Sequence, residues 1–101
     1  GEIISILSWP RIEVLDILFS CMKTGTIFAP INTRYASREL LEYLDTIKPR
    51  VLVYEGEFTD RLSKIKNKLP IEYYIHIDGR GIDGSISYEQ VPKVSYEFLQ
   101  T

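Results

Sequence analysis

The chain carries one cysteine, one histidine, one methionine and one tryptophan in 101 residues. A single Cys21 excludes an internal disulfide framework and a cysteine-rich zinc site, and with His76 as the lone imidazole a metal site would rest on carboxylates. Apolar runs are interrupted by charge well short of membrane-spanning length, so no transmembrane helix is expected. No basic segment leads into an apolar run, so no signal peptide is expected either. Neither sign of charge dominates: 12 Lys+Arg against 14 Asp+Glu leave −2 at pH 7. A nucleic-acid-binding domain normally shows a concentrated basic face, and none is visible. What remains is ordinary for a folded domain, 45% hydrophobic and 26% charged. The length fits one domain, able to bury roughly two thirds of its unfolded surface. Gly1 in place of a start methionine points to a processed chain or a piece of something longer.

Short apolar, β-branched runs alternate with helical periodicity. Strands are expected at 3–7, 26–31, 51–54 and 73–77, with Pro30 at the end of the second because it cannot donate to a ladder. Helices are expected at 11–23, with Pro10 in the entering turn and Gly25 as the stop, at 37–47, ended by Pro49, and at 57–69, ended by Pro70. In the third, Phe58, Leu62, Ile65 and Leu69 form one stripe, and Lys64, Lys66 and Lys68 gather near the end favoured by the helix dipole. Residues 86–91 are ambiguous, and 92–101 read as a loosely held tail behind a subdomain at 1–91. The alternation predicts an α/β fold: a mainly parallel, doubly wound four-stranded sheet with helices on both faces.

The helix at 11–23 is apolar around most of its circumference, its polar residues Arg11, Glu13, Asp16, Ser20 and Lys23 forming a narrow stripe. Packing one face on the sheet is expected to bury Leu15, Leu18, Phe19 and Met22. Ile12, Val14, Ile17 or Cys21 would then face water and drive homodimerisation of the isolated chain.

Chemistry-bearing residues are few. Gly79, Gly81 and Gly84 match G-x-G-x-x-G, but no amphipathic helix follows and the position is after the fourth strand, so the pattern reads as a turn. Cys21, between Ser20 and Met22, reads as a buried structural thiol. His76, flanked by Ile75 and Ile77 on the opposite face, reads as half-exposed and has no triad. Glu55 follows the third strand where a receiver domain would carry its phospho-acceptor, but Ser8, Trp9 and Pro10 leave no acidic pair after the first strand. The loop Asn32-Thr33-Arg34-Tyr35 leaves the carboxyl end of a strand, where ligands collect in open parallel sheets. Its guanidinium, amide and phenol could serve a ligand or simply hold the turn.

The stretches G-E-I-I-S-I-L-S, E-V-L-D-I-L-F-S-C-M-K-T-G-T-I-F-A-P-I-N-T-R-Y and S-R-E-L-L-E-Y-L-D-T-I-K-P-R-V-L-V-Y resemble the opening strand, first helix, Lys-x-Gly turn, P-[LI]-N-x-R loop and next helix and strand of the adenylate-forming enzymes. That superfamily holds acyl-CoA synthetases, luciferases and peptide-synthetase adenylation domains, and the first of these is the nearest in pattern. Lys23, Gly25, Pro30, Asn32, Arg34, Glu39 and Leu40 carry the likeness, which weakens beyond Tyr54 and extends to about Val91. Trp9-Pro10 stands where the family often has Asn, and Ala36-Ser37 replaces its Thr-Pro helix start, so Ala36 is expected to cap poorly and Ser37 to shift the start.

The resemblance implies an early part of the large N-terminal domain of an acyl-CoA synthetase. The parent would activate a fatty or other carboxylic acid with ATP and Mg2+ and pass the acyl group to CoA. It would act in the cytoplasm, with the remainder of the synthetase as this segment's partner. The phosphate loop ending in Pro-Lys-Gly, the adenine motif, the ribose Asp and the catalytic Lys have no counterpart in the chain, so it is expected to be inactive alone, to bind no cofactor and to hold no catalytic residue. Asn32, Thr33 and Arg34 are implied to lie near the nucleotide end of CoA in the full enzyme. The competing expectation is a stand-alone small α/β binding or interaction module; a receiver-like protein ranks third.

Overall fold

A computed structural model describes residues 2–91 of the chain; the expected tail at 92–101 lies outside them. Three strands fall where β-branched runs predict them: β1 (Ile3–Leu7), β3 (Val51–Tyr54) and β4 (Tyr73–His76). With β2 (Ile27–Pro30) and β5 (Ile86–Ser87) they form one parallel sheet of order β2-β1-β3-β4-β5. The sheet is therefore five-stranded, not four-stranded. β5 is two residues long, too short to show any periodicity, and it is recruited by pairing with β4.

Pro30 is tolerated because β2 is an edge. Ile27 and Ile31 donate to the Glu2 and Ile6 carbonyls, so by alternation Phe28 and Pro30 turn their nitrogens away from β1.

The sheet is covered on both faces, as alternating strands and helices require. On one face α2 (Ser37–Ile47) and α3 (Thr59–Ser63) pack Leu40, Leu44 and Leu62 on Leu7, Leu52 and Tyr54. On the other, α1 (Ile12–Thr24) sets Ile17 and Cys21 against Ile4, Ile6, Val51 and Val53. This overturns the expected facing of α1 at five positions: Leu15, Phe19 and Met22 point to solvent, whereas Ile17 and Cys21 are buried; Ile12 is exposed as expected and Leu18 is half-buried. The narrow polar stripe of α1 leaves open which apolar side meets the sheet. Arg11, at the N-cap position just before the helix, is tied to Glu55 and Asp78 across the strand ends. Branched or small Val14, Ile17 and Cys21 then meet the isoleucine and valine surface of the sheet.

Gly25 ends α1 in the left-handed conformation. α2 starts at Ser37 without the expected shift. Ala36 has no side-chain acceptor, but Glu39 reaches back to the Ala36 N–H at 3.0 Å, while the Ser37 hydroxyl donates to the Arg61 carbonyl. The single helix expected at 57–69 is broken into a 3-10 turn (Gly56–Phe58), α3 and a second 3-10 turn (Lys66–Lys68). Ser63 bonds back to the Thr59 carbonyl, a contact that competes with helix propagation. Ile65 leaves helical geometry at φ −120°. The apolar stripe survives the break: Phe58, Leu62 and Ile65 are all buried.

At the carboxyl ends of the strands a polar network joins three loops. Glu55 accepts from the Ser8 hydroxyl at 2.8 Å, from the Trp9 N–H, and from Arg11 Nη1 at 3.1 Å. Arg11 also forks onto Glu13 and reaches Asp78 at 2.7 Å, and Asp78 accepts the Gly56 N–H. Between β1 and β3 the crossovers leave to opposite faces, which is where an open parallel sheet usually has its ligand crevice. Here the Glu55 side chain fills it.

Two tyrosines on neighbouring strands make a controlled comparison. The Tyr54 hydroxyl accepts the buried Ile82 N–H at 2.8 Å and donates to Ser85 Oγ at 3.0 Å. The Tyr74 hydroxyl is buried with no partner among the described residues, and burial pushes its pKa up to about 12. Tyr54→Phe should cost about 1–3 kcal/mol by stranding the Ile82 amide, whereas Tyr74→Phe should be neutral or stabilising. Urea unfolding of the two variants checks the contrast.

The network also sets the acid limb of stability. Asp78 and Glu13 are held below the usual carboxylate range, each chiefly by its hydrogen bond to Arg11. A depressed folded-state pKa contributes stability above the unfolded value, near pH 4, that is lost as pH falls through the folded value. The thermal midpoint should therefore drop as pH is lowered from about 4, and Asp78→Asn should flatten that drop. An equally steep acid limb in the variant would remove Asp78 from the account.

Candidate functional site

With the β1/β3 crevice occupied by Glu55, the loop after β2 is the open feature at the carboxyl edge. Asn32 Oδ1 accepts the Arg34 N–H at 2.9 Å, an Asx turn that a sequence pattern of Asn-x-Arg leaving a strand makes legible. A second support was invisible in the sequence. Arg61, on α3, donates Nη1 to the carbonyls of Thr33 and Tyr35 at 2.8 and 3.2 Å while lying over the Phe58 ring. A residue 26 or 28 positions further along thus braces the loop from beneath. Tyr35 packs edge-on against Tyr43, whose hydroxyl donates to the Pro30 carbonyl. Tyr35, Glu39, Tyr43 and Thr46 line a shallow groove beside the loop.

The three residues singled out from sequence are therefore brought together on one braced turn. Asn32 shapes the turn and Thr33 supplies a carbonyl to Arg61. Arg34 is exposed, and its guanidinium has no ion pair among the described residues. A fixed backbone with an unengaged guanidinium can meet an anion such as a phosphate by charge-assisted hydrogen bonds.

The other sequence candidates resolve as structure. Gly79 and Gly84 have φ of +64° and +83°, and the segment is a turn leading into β5, not into a helix. Gly81 is required for another reason, since a Cβ there would lie 2.3 Å from His76 Nδ1. His76 is half-buried and hydrogen-bonds Ser85 Oγ at 2.8 Å; that hydroxyl also receives the Tyr54 phenol, so Ser85, just before β5, is tied to both β3 and β4. Cys21 is buried and its thiol pKa is raised by that burial, the reverse of a reactive thiolate. Lys66 bonds the Asp83 carbonyl. Among the described residues no group of three His, Cys, Asp or Glu side chains is placed to hold a metal ion, and no helix is long and apolar enough to cross a membrane.

No family model matches the chain. Among curated proteins it is 30% identical over 86 residues to indoleacetate–CoA ligase of Aromatoleum aromaticum, covering 85% of this chain. It is 25% identical over 95 residues to 3-oxocholest-4-en-26-oate–CoA ligase of Rhodococcus rhodochrous, covering 88% of this chain. The chain spans 17% of the length of each. Among solved structures it superposes on the anthranilate–CoA ligase AuaEII, in complex with anthranoyl-AMP, with a TM-score of 0.83 at 27% identity, covering 89% of this chain and 18% of that one. The relatives and structural neighbours of this chain are thus acyl- and aryl-CoA ligases of the adenylate-forming superfamily, and what it matches in them is part of the N-terminal domain.

Proposed function

We propose that the chain is a structural part of the N-terminal domain of a cytoplasmic ligase that joins a fatty or aryl carboxylic acid to CoA. The observation that carries this reading is similarity to CoA ligases along 85% or more of the chain, on a matching parallel sheet. In the parent, ATP and Mg2+ activate the carboxylate as an acyl-adenylate with release of pyrophosphate, and the CoA thiol then takes the acyl group. Glu13, Glu55 and Asp78, the carboxylates grouped near the strand ends, all converge on Arg11, which supports reading the segment as lying outside the ATP and Mg2+ site. The segment would supply a scaffold. With pyrophosphate release as the assay, the 101-residue chain should be silent with ATP, CoA and any carboxylic acid. Carboxylate-dependent release by the purified chain would overturn this.

The loop at 31–34 fits a different part of the same reaction. Its turn is fixed by Asn32 and by Arg61, and Arg34 is left for a phosphate at the nucleotide end of CoA. The role assigned to Arg34 is to bind and orient, not to move a proton. Arg34→Ala in the full-length ligase should raise the KM for CoA about tenfold, the worth of one charge-assisted contact of about 1.5 kcal/mol. Adenylate formation, followed by pyrophosphate exchange, should be spared. An unchanged KM for CoA would exclude Arg34 from the site.

A further inference from the structure

The loop after β2 is fixed peptide by peptide. Asn32 takes the Arg34 N–H on its side-chain oxygen at 2.9 Å and the Tyr35 N–H on its own carbonyl at 3.1 Å. The Ala36 N–H goes to Glu39 at 3.0 Å, and the Ala36 carbonyl takes the Leu40 N–H at 2.9 Å. The carbonyls of Thr33 and Tyr35 are held by Arg61 Nη1 at 2.8 and 3.2 Å. The peptide units 33–34 and 35–36 are therefore pinned at both ends, and each has one of its two bonds from Arg61. Of these partners Arg61 alone comes from outside residues 32–40. Resting on the reading of this loop as the CoA contact, we propose that Arg61 is a positioning residue of the acceptor step. It holds the loop in the shape from which Arg34 meets a phosphate at the nucleotide end of CoA, and so makes the nucleotide count in the choice of acceptor thiol.

The chemistry of Arg61 suits that task. The two hydrogens on one guanidinium nitrogen diverge in the plane of the group, so a single Nη1 can serve two carbonyls two residues apart. The guanidinium lies 5.1 Å from the centre of the Phe58 ring, which is buried in the core under α2 and α3. The Arg61 carbonyl, near the end of α3, takes the Ser37 hydroxyl at 3.1 Å. Arg61 is thus tied to the loop through its side chain and to the start of α2 through its backbone, with the core as its floor. Arg34, by contrast, is exposed and sits between the two braced carbonyls.

The division of labour follows from what ordering costs. A loop that its ligand must order binds more weakly, in proportion to the time it spends outside the binding shape. Arg61 removes that loss without touching the ligand. The benefit is confined to thiols that carry a nucleotide, because pantetheine, the thiol arm of CoA alone, has no phosphate for Arg34 to meet.

Steady-state kinetics of the full-length ligase, with CoA and with pantetheine as acceptor, test this. Arg61→Met keeps an apolar stem over Phe58 and removes the donors. It should raise the KM for CoA about fivefold, the result of a loop that keeps its shape about one fifth of the time. The KM for pantetheine and carboxylate-dependent pyrophosphate exchange should stay as they are. Arg34→Ala and Arg61→Met together should raise the KM for CoA no further than Arg34→Ala alone, about tenfold, whereas independent effects would multiply to about fiftyfold. An unchanged KM for CoA in Arg61→Met, beside a raised one in Arg34→Ala, overturns the proposal. So does the multiplied value in the double variant. So does an equal rise for pantetheine, which would mark a general distortion of the enzyme. Should Arg61→Met lose pyrophosphate exchange, Arg61→Lys, which keeps the charge beneath the loop, is judged by the same three comparisons. An unchanged KM for CoA in Arg34→Ala alone would instead sink the reading of the loop, and is read separately from the Arg61 variants.

Discussion

β1 and β3 are buried from both sides, and every other element is placed by that requirement. All four residues of β3 are buried, as are Ile4 to Leu7 of β1. Their alternating side chains cannot be served by one layer: Leu7, Leu52 and Tyr54 need α2 and α3, whereas Ile4, Ile6, Val51 and Val53 need α1. A parallel pair forces each connection to cross over, and the crossover helix becomes the cover. Slipping β3 by one residue would send Val51 and Val53 to the α2 side and Leu52 and Tyr54 to the α1 side.

The polar groups follow from the same arrangement. Parallel strands finish at one edge, so the loops after β1, β3 and β4 meet there, and Arg11 and Glu55 knit them together. That knot fills the crevice where ligands usually sit in such sheets, leaving the loop after β2 as the open feature. This loop is held rigid by a guanidinium from α3. A scaffold that closes its own crevice and offers a braced loop at one edge fits a subdomain within a larger enzyme.

Much of this was legible in the sequence. Strand runs at 3–7 and 51–54, the helix at 37–47, the Gly25 stop and the terminal place of Pro30 all follow from local rules, because local chemistry and tertiary packing agree there. The misses share a cause: the deciding contact is distant. The facing of α1 is realised in contacts of Val14, Ile17 and Cys21 with sheet residues as distant as Val51, Val53 and Ile75, and periodicity cannot supply it when most of the helix circumference is apolar. The third helix looked continuous because its apolar stripe has helical spacing, and 3-10 turns preserve that stripe closely enough to bury it. β5 exists only as a partner for β4. At the candidate site, the Asn32 turn was visible and the Arg61 brace was not, since nothing local to residue 61 points to residues 33 and 35.

The central claim is that two-sided burial of β1 and β3 holds the sheet of the described residues together by itself. Amide hydrogen exchange of the isolated 101-residue chain, resolved by residue, tests it most directly. The account predicts the slowest exchange in 4–7 and 51–54 with the Ile17–Cys21 turn close behind, and the fastest ladder exchange in β5. Rapid exchange across β3, with no more protection than β5, would contradict it, because the sheet would then depend on contacts beyond this chain.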